Sequence, residues 1–152
     1  MGLMASMKAQ KAYKLQSNGK NEEAMKLYEE AFAQGLDQPR FALAYSVLLL
    51  RSGQYEKTQD VLKKTQKMPG VTAEQKTQLF MNYAACQYKL GKIDGGINLL
   101  EKQHLHQPSG LIYGTLGYLY VEKYDASHRL DFQEEDRKNQ AKARSEERRV
   151  GK

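Results

Sequence analysis

The residues best suited to chemistry in this 152-residue chain are Cys86, His104, His106 and His128. A metal pair on a helix wants histidines at i and i+4, where both side chains share a face. His104 and His106 are two apart and point to different faces. They sit near a helix end, where the helix dipole favours a cationic imidazole. His128 lies in a polar segment without a paired ligand. Cys86, beside Tyr83, Ala84 and Ala85, reads as a small core residue. As the single cysteine it can form no intramolecular disulfide. That fits a reducing compartment, and a cytoplasmic location is expected. The glycines from Gly91 to Gly96 do not make a phosphate loop, because no Gly-Lys-Ser/Thr follows and no strand precedes. No catalytic constellation emerges, so no enzyme activity, metal site or cofactor is expected.

The elements behind these residues read as helices. A helix over about Ser6 to Ser17 ends at Asn18-Gly19, two residues that tolerate a left-handed cap. In the next, Ala24, Leu27, Tyr28, Ala31 and Phe32 form an i, i+3, i+4, i+7, i+8 stripe. The third, about Arg40 to Arg51, is apolar nearly all round, which in a water-soluble chain predicts burial between neighbours. A fourth runs over about Glu56 to Lys67. Thr72 and Gln75 have the spacing of a capping box, opening a long fifth helix that reaches Leu90. A sixth covers about Ile93 to His104 and a seventh about Leu111 to Lys123. Gly19, Gly53 and Gly91 fall inside helix pairs, 34 and 38 residues apart, whereas Pro39, Pro69 and Pro108 fall between pairs. Repetition at that period predicts a stacked helical-repeat architecture.

These residues resemble the tetratricopeptide repeat. The first unit supplies Ala12, Leu15, Gly19, Ala24, Tyr28 and Ala31. The second supplies Tyr45, Ser46, Leu49, Gly53, Tyr55, Thr58 and Leu62. The third supplies Tyr83, Ala84, Gly91, Ile93, Gly96 and Leu100, and a fourth begins with Leu116, Gly117 and Tyr120. The resemblance implies an all-α, right-handed solenoid of antiparallel helix pairs over residues 5–123, with units 5–38, 39–76, 77–109 and 110–123. Small residues such as Ala12, Ala24, Ser46, Ala84, Gly96 and Gly117 would let helix axes approach closely. Thr65 and Gln103 depart from the family's late alanine. The segment 124–143 is polar and is expected to be a flexible insertion or a frayed helix.

In this family the first helices of successive repeats line a concave groove, and the function implied is non-enzymatic binding of a peptide or helix from a protein partner. Repeat positions place Tyr13 there from unit one. Arg40, Leu43, Val47 and Arg51 come from unit two, Gln78, Met81, Tyr88 and Lys89 from unit three, and Tyr118 from unit four. Leu43, Val47, Met81, Tyr88 and Tyr118 would anchor apolar side chains, and Arg40, Arg51 and Lys89 would pair with carboxylates. The lysine and asparagines by which the family's chaperone-tail adaptors hold their ligand are replaced by Ala9 and Tyr13, so a chaperone C-terminus is not expected. Pentatricopeptide-like RNA reading is the alternative. Its reading position usually holds Asn, Ser or Thr, but Ala9, Leu43 and Met81 stand there.

The net charge of +6 is interleaved along the chain, and a nucleic-acid partner is not expected. Residues 144–152, RSEERRVGK, resemble the in-frame translation of a sequencing adapter. They read as a non-native tail that accounts for +2 of the +6. On that reading the chain is a truncated fragment, and a further alternative is the repeat part of a larger enzyme or membrane-anchored sensor. No apolar run reaches the roughly 20 residues a spanning helix needs. Met1 to Ser6 fits a myristoylation pattern, but Met1, Met4 and Met7 read more simply as alternative start positions.

Overall fold

The computed structural model describes residues 2–150, without the side chains of 130–132 and 146–150. Among the described residues there are seven helices and no strand: α1 Gly2–Ser17, α2 Asn21–Ala33, α3 Pro39–Arg51, α4 Tyr55–Gln66, α5 Ala73–Lys89, α6 Ile93–His106 and α7 Gly110–Val150. Two units divide the chain, Met1–Leu116 and Gly117–Lys152.

The first unit is a stack of three helix hairpins, α1/α2, α3/α4 and α5/α6. One turn, repeated, builds all three. Gly53 has φ +80°, a conformation that costs any residue with a Cβ about 1–2 kcal/mol. Its N–H donates to Leu50 O at 3.2 Å, and that of Gln54 donates to Leu49 O at 3.0 Å. These two bonds satisfy carbonyls that the end of α3 would leave bare. Gly19 and Gly91 close α1 and α5 with the same pair of bonds. Entry signals complete the pattern. Pro39 starts α3 at a position that needs no amide hydrogen. Thr72 and Gln75 form the reciprocal capping box that opens α5.

Small residues meet across each hairpin. Ala12, Ala24, Ser46, Thr58 and Ala84 are all fully buried, and Gly96 is buried beside the Ala84 backbone. Where the small residue is polar, its hydroxyl is spent locally. Ser46 Oγ donates to Leu43 O at 2.6 Å, Thr58 Oγ1 to Gln54 O at 2.7 Å, and Thr65 Oγ1 to Val61 O at 2.7 Å. Back-bonding to the helix's own carbonyls removes the penalty of burying a hydroxyl. Thr65 therefore replaces an alanine at little cost. Large residues fill the space beside them: Tyr28 stacks on Tyr45 with centroids 5.5 Å apart, and Phe32 lies 5.8 Å from Tyr45. The Tyr28 hydroxyl donates to Gln16 Oε1 at 2.8 Å, and Gln16 Nε2 donates to Ala44 O at 3.4 Å. This chain of bonds ties α2 to α1 and α1 to α3.

Two layers result. α1 touches α3 and α3 touches α5, whereas α2, α4 and α6 make no comparable contact with one another. The first helices of the hairpins, α1, α3 and α5, thus form a continuous layer, termed the inner layer, and α2, α4 and α6 form the outer one. α3 is buried over Phe41, Ala42, Leu43, Tyr45, Ser46, Leu48 and Leu49, as its all-round apolarity predicts.

α7 starts in the first unit. Ser109 Oγ accepts from the Ile112 N–H at 3.4 Å, an N-cap arrangement, and Ile112 and Leu116 are buried. The second unit is the continuation of this helix. No helix end occurs at 123, and α7 runs through 124–143, where a flexible insertion or a frayed helix was expected. The segment has no Gly or Pro to break a helix and is rich in residues of high helix propensity. Its stabilising contacts are local, with Tyr124 and His128 stacked at 4.7 Å and Gln140 donating to Asp136 at 3.3 Å. Gly117 has nothing within 4 Å of a built Cβ, so it is not the close-packing glycine its repeat position implied. Of the segment 144–152, residues 151 and 152 and the side chains from 146 lie outside the described residues.

Candidate functional site, an inner groove of helices α1, α3 and α5

Most of the residues assigned to the groove sit on the inner layer with free surface. Tyr13 is half-buried on α1, and the Arg40 guanidinium of α3 lies 4.9 Å from its ring centroid. Phe41 meets the same ring edge-on at 5.9 Å. The aromatic pair backs the guanidinium, which stays exposed with its in-plane donors open to an anion. Val47 is half-buried at mid-helix, and Arg51 is exposed in the last turn of α3. On α5, Tyr88 is half-buried and Lys89 Nζ lies 5.6 Å from its ring. The pairs Tyr13–Arg40 and Tyr88–Lys89 are thus each brought together as an aromatic with a cation.

Gln78 and Met81 line an open cavity of about 700 Å³ between the first turns of α5 and the 107–111 segment. Ala73, Glu74, Thr77, Asn82, Gln107, Pro108, Ser109 and Leu111 form the rest of its wall. Asn82 is absent from the sequence assignment. Its Nδ2 is buried and has no hydrogen-bond partner. A buried donor left unpaired costs about 1–3 kcal/mol, which an acceptor entering the cavity would recover. The available signal was register, since Asn82 lies one turn beyond Gln78 on the same face.

Two assigned residues stand apart. Leu43 is only 3% exposed and packs with Leu62, Leu79, Phe80 and Tyr83, so it offers no groove surface. Ala9, at the equivalent place in the first unit, is likewise buried. That repeat position faces the following unit and is used for stacking. Met81 holds the same place in the third unit and is only half-buried, with one side on the cavity. Tyr118 belongs to the second unit and is 56% exposed.

The electrostatics of the layers differ. α1 and α3 contain no acidic residue and α5 contains only Glu74. α2 alone carries Glu22, Glu23, Glu29 and Glu30. A charge pattern that is interleaved along the chain becomes segregated once each hairpin gives one helix to each layer. Two outer glutamates are already paired: Glu30 with Lys8 at 3.1 Å and Glu29 with Lys57 at 3.2 Å.

The remaining candidates for chemistry are structural. Cys86 is fully buried, and burial pushes its thiol up to about 11 although a hydrogen bond with Thr58 pulls the other way. The His104 ring nitrogen Nδ1 accepts from the Ser109 N–H at 3.2 Å, which ties the end of α6 to the start of α7. Burial raises the Tyr28 and Tyr45 phenols as well. Among the described residues no three of His, Cys, Asp and Glu come together as a metal site, and no helix is long and apolar enough to cross a membrane.

Stacked hairpins closed by a glycine turn, with small residues at each crossing and an open inner layer, define an α-solenoid of tetratricopeptide repeats. The chain belongs to the family described as anaphase-promoting complex, cyclosome, subunit 3, whose model matches residues 17–103. Among solved structures it is similar to the second TPR domain of the human RPAP3 protein, determined by NMR in complex with the HSP70 peptide SGPTIEEVD. There the TM-score is 0.65 at 16% identity, over 78% of this chain and 96% of that one. It is also similar to the Yersinia enterocolitica type III secretion translocator chaperone SycD, with a TM-score of 0.61 at 17% identity, over 81% of this chain and 96% of that one. At such identities the likeness is one of fold. No curated protein matches the chain.

Proposed function

We propose that the chain is a non-enzymatic protein-interaction scaffold whose inner groove takes an acidic peptide segment. The observation that supports this reading is the charge segregation: α3 and α5 carry Arg40, Arg51 and Lys89, while α1 and α3 hold no acid and α5 holds only Glu74, in its first turn and remote from Lys89. Carboxylates of a ligand would pair with these groups, and its apolar side chains would rest on Val47, Met81 and Tyr88. The half-buried aromatics Tyr13 and Tyr88 supply rigid contact area at small entropic cost. The peptide-bound RPAP3 domain, with its ligand SGPTIEEVD, supports the idea that such a groove can hold an acidic segment. The ligand here would be held differently, because Ala9 and Tyr13 occupy the first-unit positions used by chaperone-tail adaptors. RNA reading is disfavoured, since Ala9 and Leu43 are buried and can reach no base edge.

A panel of fluorescent peptides tests the reading. Each pairs an apolar anchor with Asp/Glu or with Asn/Gln at the same positions. The acidic members are expected to bind at least roughly tenfold more tightly and to weaken as salt rises. Arg51→Glu combined with Tyr88→Ala abolishes that binding and leaves the helical circular dichroism intact. Equal affinity for the amide peptides, or tighter binding of single-stranded RNA than of any peptide, would refute it.

A further inference from the structure

One charged and apolar face is not part of the groove. On α1, Leu3, Met4 and Met7 are 74%, 63% and 60% exposed. Ala5, Ala9 and Ala12 are fully buried on the opposite side of the same helix. At roughly 100° per residue, Leu3, Met7 and Lys14 fall within about 40° of one another, with Met4 and Lys11 alongside. Lys11 and Lys14 are both exposed. The first two turns of this face are therefore apolar and the next two are basic. The lysines stand about 6 and 10 Å further along the axis than Met7 at about 1.5 Å per residue.

We infer that this face of α1 docks on an anionic lipid bilayer, with Leu3, Met4 and Met7 entering the acyl boundary and Lys11 and Lys14 meeting lipid phosphates. Charge complementarity selects the occupant. α1 has no acidic residue, so a second copy laid on the same face would offer these lysines no carboxylate. A bilayer of anionic headgroups answers every charge on the face, and its interior accepts side chains that water does not. Methionine suits this use, being unbranched and adaptable in shape. The neighbouring acids do not oppose it. Glu30 and Glu29 are held by Lys8 and Lys57, and Glu22 and Glu23 start α2, at the end of the hairpin remote from the apolar tip. The face is separate from Arg40, Arg51 and Lys89, so lipid and peptide binding are independent.

Co-sedimentation of the full chain with phosphatidylcholine vesicles, with and without phosphatidylserine, tests the inference. Binding is expected with phosphatidylserine and at least roughly tenfold weaker without it. Leu3→Glu with Met7→Glu, and separately Lys11→Glu with Lys14→Glu, should each reduce it at least roughly tenfold while the thermal melt stays unchanged. The groove variant Arg51→Glu with Tyr88→Ala should bind vesicles like the parent. No binding to anionic vesicles would overturn the inference, as would binding that survives both α1 variants. Self-association that Leu3→Glu with Met7→Glu abolishes, in place of vesicle binding, would assign the face to a second copy and overturn it equally.

Discussion

Two adjacent glycines in α6 provide a sharp test of how the hairpins pack. A Cβ on Gly96 would meet the Ala84 carbonyl oxygen at 3.0 Å and the Ala84 Cα at 3.4 Å. A Cβ on Gly95 would meet only the flexible end of Gln87, at 3.9 Å. Both alanine substitutions gain about 1 kcal/mol of helix propensity. At position 96 the new methyl presses on backbone that cannot rotate away, and overpacking of that kind costs about 1–3 kcal/mol. Gly95→Ala should therefore stabilise the chain by about 1 kcal/mol, whereas Gly96→Ala should range from neutral to about 2 kcal/mol destabilising. At about 3 °C per kcal/mol for a chain of this size, the two melting temperatures should separate by about 3–9 °C. Thermal denaturation followed by far-ultraviolet circular dichroism reads the difference. Ala24 and Thr58 hold the corresponding place in the other hairpins, so the prediction concerns the α5–α6 crossing in particular. If Gly96→Ala stabilises as much as Gly95→Ala, the close approach of α6 to Ala84 is wrong.

Other consequences are open to simple measurement. Gly53→Ala should cost about 1–2 kcal/mol in denaturant melts, entirely through its φ of +80°, because nothing lies within 4 Å of the added methyl. Tyr28→Phe should cost about 1–2 kcal/mol by stranding Gln16 Oε1, and in a double-mutant cycle Gln16→Ala should add little to it. Cys86 should resist thiol reagents at mildly alkaline pH in the native chain and react on denaturation; rapid native labelling would contradict its burial. With the thiol raised from 9.0 to about 11, folding holds the protonated form. Its contribution to stability is complete below about pH 9 and lost as pH rises through 11. The melting temperature should fall across that interval, and less steeply in Cys86→Ala.

The repeat architecture was legible because its signals are covalent and local. Only glycine accepts the turn at positions 19, 53 and 91 without strain, and the capping box at Thr72 can be read directly from residue types. The continuation of α7 was not legible. Apolar periodicity reports the face a helix buries, and the polar run after Tyr124 has no such stripe although its residues favour helix. The groove was readable as a set of register positions and less so residue by residue. Leu43 and Met81 occupy the same repeat position, yet Leu43 is covered in the core and Met81 borders a cavity. Only three-dimensional stacking separates them. Asn82 was legible by register, one turn beyond Gln78, but the missing partner of its amide has no sequence signature. The segregation of acids to the outer layer was hidden for a related reason: hairpins turn alternation along the chain into opposite faces.

Binding at the inner groove is the central functional claim. Backbone amide chemical shifts of the full chain, followed during titration with the tightest acidic peptide of the panel, address it directly. Perturbations are expected along α1, α3 and α5, strongest around Arg40, Arg51, Met81 and Lys89, with α2, α4 and α6 nearly silent. Perturbations concentrated on the outer helices, with Arg51 and Lys89 unmoved, would contradict it.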